Sequence, residues 1–207
     1  MRLSSFILAG TIILSCISCG NNRSEETVMK EGNPVIESIM ARRSIRKYKA
    51  EPVSRATMDT ILMCGINAPN GQNKQSWEVR VVDNPQVMGE INNTLNAAYP
   101  NMENAAGCFR GAPVMVFIAR AKGYDFSAYD CGLMAENMML SAWSMGIGSC
   151  CLGSVIPVMM SEEAKPYYER LQLPEDYKLL MAIAFGYPEG DIPAAPERDA
   201  SKAYYVE

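Results

Sequence analysis

The sequence contains no histidine among its 207 residues. This absence excludes Ser-His-Asp and Cys-His catalytic triads, zinc sites built from histidine, and acid–base catalysis by an imidazole. Long basic runs are absent too, because the densest cluster of cations is Arg42–Lys47 and the formal net charge is −4. Nucleic acid is therefore a poor candidate partner. Any chemistry must come from carboxylates, thiols, lysines or a bound cofactor.

Cysteine spacing likewise argues against a disulfide framework. No Cys-x-x-Cys pair follows residue 19, and a chain of this length with 48% hydrophobic residues can form a core without disulfides. We therefore interpret most of the cysteines as small buried hydrophobic residues. The adjacent Cys150 and Cys151 fit neighbouring positions on a strand better than a strained vicinal disulfide.

The first 19 residues have the pattern of an export signal rather than of a folded element. A basic residue precedes the apolar run Phe6–Leu14, which is too short to span a membrane. A small residue directly before a cysteine resembles a bacterial lipoprotein signal. The residue predicted to carry the lipid is Cys19 or, as the alternative, Cys16.

Two interpretations of the location of the chain follow from this N-terminus. Residues 20–32 read as a polar tether between the lipidated cysteine and the domain at 33–207, so the sequence predicts an exported lipoprotein anchored to a membrane of the cell envelope. If translation instead starts at Met29, the chain is cytoplasmic and carries no lipid.

Hydrophobic periodicity predicts a mixture of helices and strands from residue 33 onward. Helices are predicted to begin at Asn33, Ser54, Asn84 and Tyr129, with short helical pieces in 157–172. The predicted strands cover residues 77–81, 113–119, 147–152 and 179–185. Four strands mixed with helices, without an internal repeat or linker, predict a single α+β domain.

The helix predicted for residues 129–145 carries apolar side chains on nearly every face. A helix of that kind is buried on nearly every side. A domain of this size seldom covers one helix so completely by itself. The pattern therefore predicts that this helix lies at the interface of a dimer.

Four segments combine residue types that suit a ligand, although each has a plainer explanation. RRSIRKY, at 42–48, offers arginine forks and a hydroxyl for phosphate oxygens, or is a solvated run of cations at a helix end. APNGQNKQSW, at 68–77, offers amides to the polar edge of a flat heterocycle, or is a polar turn. GIGSCCLGS, at 146–154, fails both the P-loop and the dinucleotide-binding glycine patterns. Arg198 stands alone in a proline-rich tail.

Taken together and in this order, these segments resemble the nitroreductase family of flavin-dependent oxidoreductases. The resemblance covers roughly residues 33–200 and rests on RRSIRKY, APNGQNKQSW, GAPVMVFIA, DCGLMAENMMLSAWSMGIGSCCLGS, and FGYPEG followed by PERDA. It implies a nitroreductase-like α+β fold, with a central mixed or antiparallel sheet flanked by helices. It also implies an intertwined homodimer with one FMN in each of two interface pockets.

The resemblance also implies which residues bind the cofactor. The FMN phosphate and ribityl chain are expected to be held by Arg42, Arg43, Ser44 and Arg198, with Arg46 against the pyrimidine edge of the flavin. The partner subunit is expected to contribute Pro69, Asn70 and Asn73, with Gln75 close by. Backbone groups near the flavin are expected from Cys151, Leu152, Gly153 and Ser154, and Asn104 is expected to approach the ring. No catalytic side chain and no metal are implied, because the flavin carries the hydride.

The implied activity is ping-pong hydride transfer from NAD(P)H through FMN to a nitroaromatic, quinone or similar acceptor. An exported protein does not meet NAD(P)H, so a different electron donor is one alternative. Another is a lipid-tethered flavin-binding or electron-relay protein without small-molecule turnover of its own. A third, an interaction lipoprotein without flavin, is disfavoured because Arg42, Arg46 and Arg198 are all present.

Overall fold

A four-stranded antiparallel sheet with the order β1-β2-β4-β3 forms the centre of the fold. The computed structural model describes residues 32–99 and 109–206. The strands are β1 (Trp77–Val82), β2 (Val114–Ala121), β3 (Gly148–Cys151) and β4 (Tyr177–Gly186). They correspond to the strands predicted from hydrophobic patterning, within a few residues at each end. All three strand pairs are antiparallel.

Six α-helices surround this sheet in the described ranges. They are α1 (Pro34–Ala41), α2 (Arg55–Ile66), α3 (Pro85–Ala98), α4 (Ser127–Ser144), α5 (Val155–Met159) and α6 (Lys165–Arg170). Short 3-10 turns occur at Gly71–Asn73 and Ala200–Lys202. The predicted asparagine cap is confirmed at Asn33, whose Oδ1 accepts hydrogen bonds from the backbone N–H groups of Val35 at 3.0 Å and Ile36 at 3.3 Å.

The two central strands, β2 and β4, are covered on both faces. The sheet therefore separates two apolar clusters. One cluster packs α3 and α5 against sheet residues such as Phe117 and Ala182. The other packs α2 and α4 against the opposite face, which includes Ile118 and Ile183. The alternation of side chains along β2 explains the division, because neighbouring residues of a strand point to opposite faces. The apolar side chains of β2 therefore pack against two different helical layers, one on each face of the sheet.

The segment after α1 pairs with the outer edge of β3, and this pairing positions the candidate site. Ser44 forms a parallel bridge with Ser149, and the Ile45 N–H donates to the Ser149 carbonyl at 2.9 Å. Further along, Tyr48 bridges to Pro188, just beyond β4. The run of arginines is thus fixed beside the last strand residues before Leu152.

Helix α4 differs from its prediction in extent and in burial. It begins at Ser127, two residues before the predicted start. Its inner face is buried against α2 and the sheet, but Tyr129 remains 70% exposed and Leu133 46% exposed. The expectation of burial on nearly every side is therefore not met by the single chain, because these residues lie on the face turned away from its own core.

The cysteines of the described residues are mostly buried, as predicted, with one exception. Cys131 and Cys150 are buried and Cys64 is half-buried, as expected for small hydrophobic residues. Cys151, the last residue of β3, is exposed. It lies where the strand leaves the apolar layer, and its side chain points to the opposite face from that of Cys150.

Several sequence predictions concern residues outside the described ranges. These are the signal segment and most of the tether, with Cys16, Cys19 and Met29, and the ring-facing residue Asn104. Among the helices that the structure does describe, none combines the length and apolar character needed to cross a bilayer.

Candidate functional site

The arginines that follow α1 form a compact polar group beside β3 and α4. Arg42 caps the C-terminus of α1, and its Nε atom lies 3.4 Å from the Glu136 carboxylate on α4. The Arg43 guanidinium folds back and donates to the carbonyls of Met40 at 2.7 Å and Arg42 at 2.8 Å. These local bonds hold both guanidinium groups close to the chain rather than extended into solvent.

The end of β3 lies within electrostatic reach of this arginine group. Partial burial, and secondarily the Cys150 thiol, raise the pKa of the Cys151 thiol, whereas the Arg42 charge lowers it and the Glu136 charge raises it. Immediately afterwards Leu152 is buried, and its N–H donates to the Ala182 carbonyl at 2.7 Å. The structure thus places the predicted residues at 42–44 and at Cys151 in one region.

Two polar atoms of this region are buried without a partner among the described residues. They are the Nε of Arg43 and the hydroxyl oxygen of Ser149. Buried polar atoms in native proteins are almost always hydrogen-bonded, so the unpaired Arg43 Nε is a candidate donor to a polar ligand. Ser149 itself is fully buried. Arg46, which is exposed and donates to the Ser44 carbonyl at 3.2 Å, adds a further cation.

A cavity of about 320 Å³ opens beside the same segment. One wall consists of residues 44–47 and the other of residues 188–191 together with Pro193. The wall beyond β4 is fixed by the Glu189 N–H, which donates to the Lys47 carbonyl at 3.1 Å. Of the arginines, Arg46 therefore borders a space of the size that small ligands occupy.

The predicted amide loop, residues 69–75, contacts α4 at a different point from the arginine group. The Asn70 Oδ1 accepts a hydrogen bond from the Gln75 N–H at 2.9 Å, which closes the loop on itself. The loop is attached to α4 through Asp130, which lies six residues before Glu136 and therefore about 9 Å away along the helix axis. The cofactor residues expected from the partner subunit are thus not the ones that this chain gathers around its own Arg42.

The remaining predicted site residues also divide between the arginine group and other parts of the chain. Gly153 and Ser154 are exposed and continue directly from Cys151, so they lie beside the arginine group. Pro69 is exposed at the start of the amide loop. Arg198 lies in the exposed tail, and within residues 32–99 and 109–206 its side chain has no hydrogen bond or ion pair. Asn104 lies outside those ranges.

Sequence reasoning missed two acidic residues. Asp130 and Glu136 are the two acidic residues of α4, one anchoring the amide loop and the other pairing with Arg42. Their signal was present in the sequence, since isolated acids in a long apolar helix are expected to have specific partners. No cluster of three or more acidic or thiol side chains suited to a metal ion occurs in the described part of the chain.

A family model, curated relatives and solved structures all match this chain to the same family of proteins. The model of the Nitroreductase family matches residues 39–187. An NADPH-flavin oxidoreductase from Vibrio harveyi is 30% identical over 184 residues, which cover 81% of this chain and 71% of that protein. A nitroreductase structure with bound FMN from Bacteroides fragilis superposes with a TM-score of 0.75 at 27% identity, covering 84% of this chain and 100% of that one.

A second solved structure supports the same fold. This nitroreductase with bound FMN, from Desulfitobacterium hafniense, gives a TM-score of 0.74 at 29% identity over 84% of this chain and 99% of that one. On the strength of the family match, the relatives and the shared fold, the chain belongs to the nitroreductase family.

Proposed function

We propose that this chain is an FMN-dependent oxidoreductase. Its substrates are NAD(P)H, or another hydride donor, and a nitroaromatic, quinone or similar acceptor. The observation that carries the proposal is the cluster of Arg42, Arg43, Ser44 and Arg46, which the Ser44–Ser149 bridge holds beside β3 and in which the buried Arg43 Nε has no partner among the described residues. The family membership and the relatives that bind or reduce flavins support the same conclusion.

The described residues fit FMN in charge and in hydrogen-bonding capacity. Arginine forks bind phosphate through charge-assisted hydrogen bonds, and the cluster at 42–46 supplies several of them beside the Ser44 hydroxyl. When bound, FMN supplies the hydride chemistry, and the protein contributes binding, orientation and electrostatics. Arg46 is the cation proposed to lie at the pyrimidine edge of the ring, where positive charge favours an anionic reduced flavin. Because the flavin carries the hydride, the reaction needs no histidine as acid or base, and the sequence contains none.

We further propose that the active form is a homodimer. The apolar residues Val35 and Ile39 of α1 are 64% and 51% exposed, and they accompany the exposed Tyr129 and Leu133 of α4. The C-terminal tail ends in the exposed run Tyr204–Val206. Large exposed apolar areas mark interaction surfaces. A second copy would cover them and bring its own amide loop, residues 69–75, to the arginine group of the first.

The test of the cofactor is the visible absorbance spectrum of residues 29–207, purified with and without added FMN. NADH or NADPH is then added without oxygen. A flavin spectrum that bleaches supports the oxidoreductase proposal. A flavin spectrum that does not bleach supports another donor or an electron relay. No flavin, even with FMN supplied, overturns the proposal.

The residue assignment is tested by the double variant Arg42→Ala with Arg198→Ala. Each lost charge-assisted hydrogen bond contributes about 1.5–3 kcal/mol, so the double variant is expected to purify without flavin. The charge-matched control is Arg55→Ala with Arg170→Ala, whose side chains instead pair with Asp83 and Glu90. A double variant that keeps full flavin occupancy shows that these arginines do not hold the phosphate.

We also propose that the chain is exported and attached to a membrane of the cell envelope through a lipid on Cys19, with Cys16 as the alternative. The support is the N-terminal sequence pattern alone. Separate Cys19→Ala and Cys16→Ala variants of the full chain are compared by membrane fractionation. Loss of membrane attachment in one variant identifies the lipidated residue. If neither variant is released, a lipid at these positions does not attach the chain.

A further inference from the structure

A buried carboxylate on α4 holds both ends of the amide loop. Asp130 is only 3% exposed and lies in the first turn of the helix. Its Oδ1 accepts from the Gly71 N–H at 2.9 Å, and its Oδ2 accepts from the Ser76 hydroxyl at 2.8 Å. These two partners stand on either side of residues 72–75. One side chain thus fixes the loop both near its start, after α2, and where it enters β1.

The loop needs such an attachment because its backbone is strained. Gln72, Asn73 and Gln75 have φ values of 56°, 53° and 49°, in the left-handed region that residues other than glycine rarely adopt. Such conformations persist only where the surroundings fix them. All three of these side chains are exposed, so the strain directs amide groups outward and not into the core.

The space around the loop is tight, which leaves little freedom for another path. A Cβ atom on Gly71 would clash with the Tyr124 hydroxyl. The Lys74 ammonium lies 4.2 Å from the centre of the Tyr124 ring, a cation–π contact on the same side. Tyr124 and Asp130 therefore enclose the loop from two directions, and Asp130 supplies the directional hydrogen bonds.

We propose that Asp130 is a positioning residue for flavin binding, which it serves by holding Asn70, Asn73 and Gln75 in the arrangement offered to the partner's cofactor. This inference rests on the proposed function. Asp130 itself touches no ligand, since it is buried and both of its oxygens are used by the loop. Its role is to define where the exposed amides stand.

The experiment measures FMN affinity by fluorescence titration of flavin-free protein, together with thermal unfolding and amide hydrogen exchange of residues 71–76. Asp130→Ala is expected to weaken FMN binding at least about tenfold and to speed exchange of the Gly71 and Gln75 amides. Asp130→Asn can still accept from the Gly71 N–H and can donate to the Ser76 hydroxyl. It is expected to stay within about threefold of the original affinity.

A control separates positioning from simple loss of stability. Ser127 lies in the same helical turn, is fully buried, and donates to the Ala121 carbonyl at 2.8 Å rather than to a residue of the loop. Ser127→Ala is expected to lower the unfolding temperature but to keep FMN affinity within about threefold when measured well below it. If Asp130→Ala does not fold, Ser76→Ala removes one of the two bonds and is expected to weaken FMN binding about threefold.

The outcomes distinguish this inference from the proposed function. If the unaltered protein binds no FMN, the proposed function fails, while the exchange rates of the loop still report whether Asp130 fixes it. If the unaltered protein binds FMN and Asp130→Ala binds it equally well, the positioning role is wrong. Equal loss of affinity in Ser127→Ala and Asp130→Ala also overturns it, because instability would then explain both.

Discussion

The Nε of Arg42 lies 3.4 Å from the Oε1 of Glu136, so a carboxylate of the same chain already neutralises part of the proposed phosphate site. Both side chains are partly exposed, which limits such an ion pair to about 0.2–1 kcal/mol. A phosphate dianion arriving at Arg42 must compete with that carboxylate and also experiences its repulsion.

The first prediction follows from this competition. Glu136→Gln is expected to tighten FMN binding about two- to fivefold at low salt, with a smaller gain at high salt because screening weakens both effects. Fluorescence titration at two salt concentrations measures the change. The control is Glu90→Gln, which removes a partly exposed ion pair with Arg170 elsewhere. Weaker binding in Glu136→Gln would show that Glu136 helps to shape the site instead of competing for it.

A second prediction concerns the contact between β3 and the arginine segment. A Cβ atom on Gly148 would lie 2.7 Å from the Ile45 Cγ1 and 3.0 Å from the Pro188 Cγ. Gly148→Ala must therefore separate β3 from the segment that carries Ser44, at a cost of about 1–3 kcal/mol. Urea unfolding is expected to show this loss, and FMN binding is expected to weaken with it.

The matched control for that substitution is Gly153→Ala. No atom lies within 4 Å of a Cβ built there, and its backbone is not in the left-handed region. Its stability is expected to change by less than about 0.5 kcal/mol. If Gly148→Ala is as stable as Gly153→Ala, the packing between Ile45 and β3 is looser than the structure shows.

The third prediction tests the core of the sheet. Phe117 on β2 is fully buried and meets Phe109 edge to face, with ring centres 6.2 Å apart. Phe117→Ala is expected to lower the free energy of unfolding by about 3–5 kcal/mol, because a cavity replaces a large side chain. Val81→Ala, on the edge strand and 37% exposed, serves as control with a loss below about 1 kcal/mol. Similar losses in both variants would contradict the burial of Phe117.

The fourth prediction uses the thiol at the end of β3. Partial desolvation by the surrounding chain raises the pKa of the Cys151 thiol above its ordinary range, although the residue reaches solvent. The thiolate is therefore scarce at pH 7, and its fraction increases as the pH rises toward the raised pKa. The rate of its reaction with Ellman's reagent, obtained as the difference from Cys151→Ser, is expected to climb steeply above pH 8. Glu136→Gln is expected to shift the profile to lower pH, and Arg42→Ala to higher pH. A rate that is flat between pH 7 and 9 would contradict the raised pKa.

Much of the fold could be predicted because local signals were strong. The asparagine–proline pairs at 33–34 and 84–85 fixed two helix starts, since the side chain caps the first turn and proline suits its first position. The apolar run near Val114–Ala119 identified a central strand. The sheet order β1-β2-β4-β3 could not be predicted in this way, because it depends on pairing between strands far apart in the chain.

The candidate site was only partly predictable for a similar reason. The arginines at 42–46 were identified by residue type, yet the contact of Arg42 with Glu136 depends on how α1 packs against α4. The left-handed backbone at Gln72, Asn73 and Gln75 carried no glycine signal, so the shape of the amide loop was not visible. Asp130 was missed because its partners are 54 and 59 residues away.

The bridge between Ser44 and Ser149 has a consequence for self-association. Exposed sheet edges invite strands from other molecules, and at the β3 side the outer ladder position is already taken by the chain itself. At the opposite side, β1 carries the charged pair Glu78 and Arg80, joined at 2.6 Å, which discourages strand addition there. Two copies of this chain are therefore expected to meet mainly through helices and tails, and aggregation by strand addition is expected to be disfavoured at both edges of the sheet.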